Sequence, residues 1–143
     1  MISKGSYGAI FMAIFRSEQQ LYDVLQDVFE AVTVTPNNIE SFTRSNLVIR
    51  MQTEDPQAEV LLDGRQPPLE VFYGPRPGKA NLEISMKADL LHGIWSSQQS
   101  ASTAFFSGQI RTKGNLLKAT ELLDLFRECE AVYPNIAAQH GVY

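Results

Sequence analysis

Asn46-Leu47-Val48-Ile49-Arg50-Met51-Gln52-Thr53-Glu54-Asp55-Pro56 is the stretch where the chain changes period. Leu47, Ile49 and Met51 alternate with Val48, Arg50 and Gln52, as a strand with one buried face requires. Thr53-Glu54-Asp55-Pro56 is a turn cluster, and Ala58, Val60 and Leu62 resume the alternation, so the two runs predict a hairpin. Asp63-Gly64 turns the chain again. Leu69 to Tyr73 gives a third strand, stopped by Gly74-Pro75-Arg76-Pro77-Gly78, where proline cannot donate to a ladder. Leu82, Ile84 and Met86 against Asn81, Glu83, Ser85 and Lys87 give a fourth.

On both sides of these strands the pattern turns helical. Ser17 and Gln20 have the spacing of a capping box. Leu21, Val24, Leu25, Val28, Phe29 and Val32 then form one apolar stripe, with Asp23, Gln26, Asp27 and Glu30 largely opposite. Thr35-Pro36 predicts a second helix start, running to about Arg44, because proline at the first helical position loses nothing. After the fourth strand, Ala88 to Trp95 favours a helix and the polar run Ser96 to Thr103 a loop, with a further helical turn at its close as the alternative. Phe106, Ile110 and Thr112 alternate into a fifth strand ended by Lys113-Gly114. Asn115 is a good cap for a last helix, whose apolar face is Leu116, Ala119, Leu122, Leu123, Phe126, Cys129 and Val132. Pro134 predicts its end near Tyr133. Helices, strands, then helix, strand, helix make an α+β domain: a five-stranded, mainly antiparallel sheet with helices packed on it.

The chain's 143 residues suit one domain over 1–143, preceded within itself by an apolar extension at 1–16. Its 12 Lys and Arg stand against 16 Asp and Glu, a formal charge of −4. A duplex-binding protein needs a dense cationic face, and Arg111, Lys113 and Lys118 are the nearest thing to one. Nucleic acid is therefore not an expected partner. Cys129 is the single cysteine, so no internal disulfide forms, which suits a reducing, cytoplasmic setting. With only His92 and His140 beside it, the sequence advertises neither a metal site nor a cofactor.

Ala9 to Phe15 is an unbroken apolar run, far shorter than the ~20 residues a membrane-crossing helix needs. No small-residue cleavage site follows it. Such a run would leave a contiguous apolar patch, covered either by the mouth of the domain's own pocket or by a second copy. A two-fold homodimer through residues 9–15 is the favoured expectation.

The common catalytic motifs are absent: no G-x-S-x-G, no G-x-x-x-x-G-K-[ST], no H-E-x-x-H and no C-x-x-C. Asp89 and His92 have helical spacing and could pair as a general base, although a surface pair is the simpler reading. His140, near the C-terminus, is expected to be mobile. The expectation is a non-enzyme with no catalytic residue. Large apolar residues concentrate late in the chain at Trp95, Phe105, Phe106, Leu123 and Phe126. They read as core, or as the wall of a lipid pocket, which is a core with a void left in it.

Leu82 to Phe126 resembles the C-terminal half of the sterol carrier protein 2 family. The matching features are Leu82-Glu83-Ile84-Ser85-Met86, the helix opening Ala88-Asp89-Leu90-Leu91, and Ala104-Phe105-Phe106-Ser107-Gly108-Gln109-Ile110-Arg111-Thr112-Lys113-Gly114. The last resembles the family's Ala-x-x-x-Gly-Lys-x-x-x-x-Gly segment, with Gln109 in place of its lysine. The chain ends Gly-Val-Tyr, not in a peroxisomal signal. The resemblance implies non-catalytic binding or carriage of a fatty acid, sterol or related lipid, with at most transient membrane contact. It also implies an apolar tunnel between the sheet and the later helices. Residues on the matching faces nominate Ile84, Met86, Leu91, Trp95, Phe105, Phe106, Ile110, Leu123 and Phe126 as its lining. The alternative is an accessory or protein-interaction module of the same fold whose interior its own side chains fill.

Overall fold

The computed structural model of the protein describes residues 13–34 and 40–143. Helix α1 (Glu18–Thr33) starts where the sequence predicts: Ser17 Oγ accepts from the Gln20 amide at 3.0 Å. Gln20 Oε1 reaches back to the Arg16 amide at 2.7 Å, so two otherwise orphaned donors are satisfied reciprocally. All six stripe residues of α1 are buried. The Thr35-Pro36 start lies outside the described residues, and α2 occupies Glu40–Arg44.

Strands β1 (Val48–Glu54), β2 (Ala58–Asp63) and β3 (Glu70–Tyr73) form an antiparallel meander, with Met51 opposite Val60 and Leu62 opposite Val71. β4 (Leu82–Lys87) then lies parallel to β1, with Met51 opposite Ile84, and β5 (Arg111–Gly114) closes the order β3-β2-β1-β4-β5. The sheet is thus mixed, with one parallel pairing among antiparallel ones. To reach β4 from the far edge, the chain between residues 74 and 81 must cross one face of the sheet. Arg50 projects onto that face and donates from Nη2 to the carbonyls of Arg76 and Gly78, both at 2.9 Å. The opposite face, with Ile49, Met51, Val60, Leu62, Leu82, Ile84 and Met86, takes the helices and is buried.

Helix α3 (Ala88–Trp95) follows β4 without a break. Residues 96–100 form the expected loop, the further helical turn at its close is a full helix, and the early start of the fifth strand is corrected. Ser100 Oγ caps a helix α4 (Ala101–Ser107) by accepting from the Thr103 amide, and Gly108 ends it at φ +83. Phe106 is therefore helical, and β5 begins only at Arg111. Gly114, at φ +113, runs so close to β4 that a Cβ there would collide with the Asn81 carbonyl oxygen. The two glycines of this segment thus have separate reasons, a left-handed helix end and a close backbone approach.

Asn115 accepts from the Leu117 amide and caps a 3-10 turn (Leu116–Lys118) that feeds α5 (Ala119–Gln139). The predicted stop at Pro134 is also corrected, since α5 continues through it. Proline removes one helical hydrogen bond, but Pro134 faces solvent while Tyr133, Ala137 and Val142 are buried around it. Polar docking adds to that anchorage. Gln20 Nε2 donates to the His140 carbonyl at 2.9 Å, and His140 Nε2 lies 2.7 Å from Asp27 Oδ2. His140 is fixed against α1, contrary to expectation.

Of the apolar run, Ala9 to Met12 lie outside the described residues. Ala13 is exposed, Ile14 half-buried, and Phe15 is 2% exposed within the domain's own core.

Candidate functional site

Three helices face one sheet surface, and the geometry of each decides what it contributes. Leu91 and Trp95 sit four residues apart on α3 and point inward together, with His92 beside them. On α5, Phe126, Cys129 and Tyr133 recur at helical spacing and are buried. Phe29 comes from α1. These meet around Trp95, whose ring is 5.5 Å from Phe126 at 81°, 5.5 Å from Tyr133 at 60°, and 6.0 Å from Phe29 at 85°. The two edge-on contacts, with Phe126 and Phe29, add to the burial of area.

One polar atom is left over. Trp95 Nε1 is buried without a hydrogen-bond partner among the described residues. An unmatched buried donor costs ~1–3 kcal/mol. Next to it, His92 Nδ1 lies 2.7 Å from the Tyr133 hydroxyl, and Phe15 stands edge-on to the imidazole at 6.2 Å. Burial pushes the Tyr133 phenol up, which keeps it protonated. Burial also pulls His92 below the usual histidine value, partly opposed by the charge of Asp89. Asp89 itself accepts from the Ile14 amide at 2.9 Å. The sequence expectation of a surface Asp89–His92 pair is therefore corrected: His92 is buried and pairs with Tyr133.

The lowered His92 value has a signed consequence for stability. The unfolded chain binds a proton near pH 6.5, which the folded chain resists, so stability is full above pH 6.5 and falls as pH drops toward the folded value. Urea midpoints measured at pH 8 and pH 5.5 are expected to fall further for the native chain than for His92→Gln. Equal falls would show that His92 is not the group responsible.

The nominated lining residues divide into three groups. Ile84, Met86, Leu91, Trp95, Ile110 and Phe126 are buried in one apolar cluster, as are the aromatic neighbours just described. Phe105 is half-buried and packs against the cluster, and Leu123 is half-buried outside it. Phe106 is 92% exposed and lies outside it. The cause is the helix: Ala101, Ala104 and Phe105 share the inner face of α4, and Phe106 lies about 100° around from Phe105. Sequence reading missed His92 and Tyr133 as a pair because a helix ending at Tyr133 would not carry that side chain inward. The stripe Phe126, Cys129, Tyr133, Ala137 was the available signal.

At the surface, a cleft of about 410 Å³ lies between the Ser97–Ser102 segment and α5, lined there by Leu123, Arg127 and Glu130. A second cleft, of about 400 Å³, lies at the end of the sheet beside Glu18, Tyr22, Glu54, Glu59 and Arg111. Both are polar. Among the described residues no group of histidine, cysteine and acidic side chains is placed to hold a metal, and no helix is long and apolar enough to cross a membrane.

Comparison with known proteins gives a consistent likeness. A model of the SCP-2 sterol transfer family matches residues 29–127. Sterol carrier protein 2 from Yarrowia lipolytica, in its apo form, superposes with a TM-score of 0.60 at 18% identity, covering 85% of this chain and 97% of that one. The sterol carrier protein domain 2 of Helicoverpa armigera gives 0.59 at 20% identity, covering 89% and 96%. A possible sterol carrier protein from Thermus thermophilus gives 0.56 at 15%, covering 92% and 95%. At these identities the structures speak to the fold. No curated protein matched the sequence.

Proposed function

Since the chain belongs to the SCP-2 sterol transfer family, we propose that it binds and carries a hydrophobic lipid in the apolar interior between the sheet and helices α3 and α5. The single observation that carries the reading is the unpartnered Trp95 Nε1 at the centre of that interior. A fatty acid, sterol or related lipid brings both an apolar body and at least one oxygen to accept from it. In this reading the cleft between Ser97–Ser102 and Leu123 is the mouth, and the half-buried Phe105 and Leu123 give way first. The protein in this reading catalyses no reaction and works in the cytoplasm, and any pairing with a second copy through the run at 9–15 proceeds without Phe15, which the domain's own core already buries.

Native mass spectrometry of protein purified from cells, followed by solvent extraction, tests the reading. A bound lipid that a fluorescent fatty acid displaces is the expected result. No extracted lipid together with no displacement overturns it.

A second reading has its own support. The packing of Trp95 on Phe29, Phe126 and Tyr133 already fills the space that a ligand would take. An accessory module with a side-chain-filled interior would look like this, and it predicts the empty outcome of the same experiment.

A further inference from the structure

With Trp95 packed on Phe29, Phe126 and Tyr133, the interior admits a lipid only by giving up a side chain. Among the described residues every buried ring but one is carried by a helix: Phe29 by α1, Phe42 by α2, His92 and Trp95 by α3, Phe126 and Tyr133 by α5. Moving any of these moves its helix. Phe15 is the exception. It belongs to the strap from Ala13 to Ser17 that precedes α1, and it is buried while Ala13, Arg16 and Ser17 are exposed.

The strap is thinly held. Among the described residues no backbone-to-backbone hydrogen bond joins residues 13–16 to the rest of the domain. One hydrogen bond runs from the strap to another element, from the Ile14 amide to Asp89 Oδ1 on α3 at 2.9 Å, and that carboxylate is exposed. The Arg16 amide bonds only within the cap of α1. Yet Phe15 reaches deep into the domain. It stands edge-on to His92 at 6.2 Å, His92 lies 5.6 Å from Tyr133, and Tyr133 lies 5.5 Å from Trp95. Three ring contacts thus join the strap to the middle of the interior.

We propose that Phe15 is a built-in occupant of the interior that the cargo replaces, so that loading a lipid expels Phe15 and frees the strap from Asp89. The inference rests on the lipid-carriage reading above. The exchange is close to balanced, because the ring loses its burial while a hydrocarbon chain gains its own. What remains to be broken is one hydrogen bond, and no helix or strand opens. Ser17 is the pivot, since its capping bond to Gln20 belongs to α1. The apolar side of the strap is then shown outside only in the loaded state, so the surface reports whether the interior is occupied. An occupant that must leave first lowers the apparent affinity by the fraction of time it is away. Weakening its hold should therefore tighten lipid binding, the reverse of what damage to a binding site does.

The delipidated full chain, titrated with palmitic acid at pH 8, where His92 is neutral, tests it. Residue-resolved hydrogen exchange should show the Ile14 amide exchanging about ten-fold faster or more once palmitate is bound, the strength of a hydrogen bond to a charged group. The amides of α1 from Leu21 onward should keep their rates. Displacement of a fluorescent fatty acid should show Asp89→Ala binding palmitate about ten-fold more tightly than the native chain, and Phe15→Ala about ten-fold or more. Asp89 is exposed, so its alanine variant keeps the fold even if Phe15→Ala melts too low to assay. An Ile14 amide that stays protected in the loaded chain, or an Asp89→Ala variant that binds no more tightly than native, overturns the strap and leaves lipid carriage standing. No palmitate binding by either the native chain or Asp89→Ala overturns both.

Discussion

Trp95→Ala is expected to cost about 3–5 kcal/mol of folding stability, the range for removing a large aromatic side chain from a packed core. Trp95 is fully buried and is touched by three rings from two other helices, edge-on by Phe29 on α1 and Phe126 on α5 and at a tilt by Tyr133 on α5. Alanine leaves a void that helices anchored on both sides cannot collapse to fill. For a domain of this size that is a fall in melting temperature of about 10–20 °C. Denaturant midpoints and calorimetry would measure it. A loss below about 1 kcal/mol would mean that the interior is not close-packed, and would itself point to space for a ligand.

The companion variant isolates the nitrogen. Trp95→Phe keeps a ring but removes the unpartnered N–H, so the relief of an unmatched donor, ~1–3 kcal/mol, offsets much of the lost contact area. Its stability should stay within about 1.5 kcal/mol of the native chain. If a cargo oxygen accepts from Nε1, the same variant should weaken lipid retention while sparing the fold. Those two readouts move in different directions only if the nitrogen faces a ligand.

Legibility in the sequence followed the range of the interaction that decides each feature. α1, β1, β2 and β4 were readable because period and caps are local: Ser17 with Gln20, and Ile49 and Met51 on one face of a strand. α4 was obscured because its cap, Ser100, sits in a run of serines and glutamines with little apolar period, and Phe106 looked like the start of a strand. The end of α5 was misjudged because Pro134 is a local stop signal that buried Tyr133, Ala137 and Val142 override. The site shows the same division. The inward residues of α3 and β4 could be nominated from their spacing. The His92–Tyr133 contact could not, since it joins residues from α3 and α5 and rests on that override. The parallel placement of β4 beside β1 was likewise invisible, because no short-range pattern encodes which strand a returning segment joins.

That return depends on Arg50, and Arg50→Ala is expected to cost about 3–5 kcal/mol, as when one partner of a buried charge network is removed. The side chain is 9% exposed, with Nε 3.2 Å from Glu59 Oε2 and Nη1 3.0 Å from Glu83 Oε2. Nη2 holds the Arg76 and Gly78 carbonyls, while the Arg76 guanidinium lies 3.8 Å above the Phe72 ring. One planar fork therefore ties β2, β4 and the crossing segment to the centre of β1. Lysine cannot reproduce this, being a single point charge without the fork, so Arg50→Lys should recover only part of the loss. Arg50→Met keeps volume but leaves Glu59 and Glu83 facing each other uncompensated. Adding Glu59→Gln and Glu83→Gln should restore some of what methionine alone loses, because the repulsion goes with the charges. Hydrogen exchange gives the local readout: in Arg50→Ala the amides of residues 74–81 should lose protection before those of α1 or β1. Uniform loss across the chain would mean that Arg50 stabilises the domain without specifically holding the crossing segment. A loss under about 1 kcal/mol would place the segment's anchorage instead in the Asn81 amide's bond to the Val48 carbonyl and the Val48 amide's bond to Asn81 Oδ1.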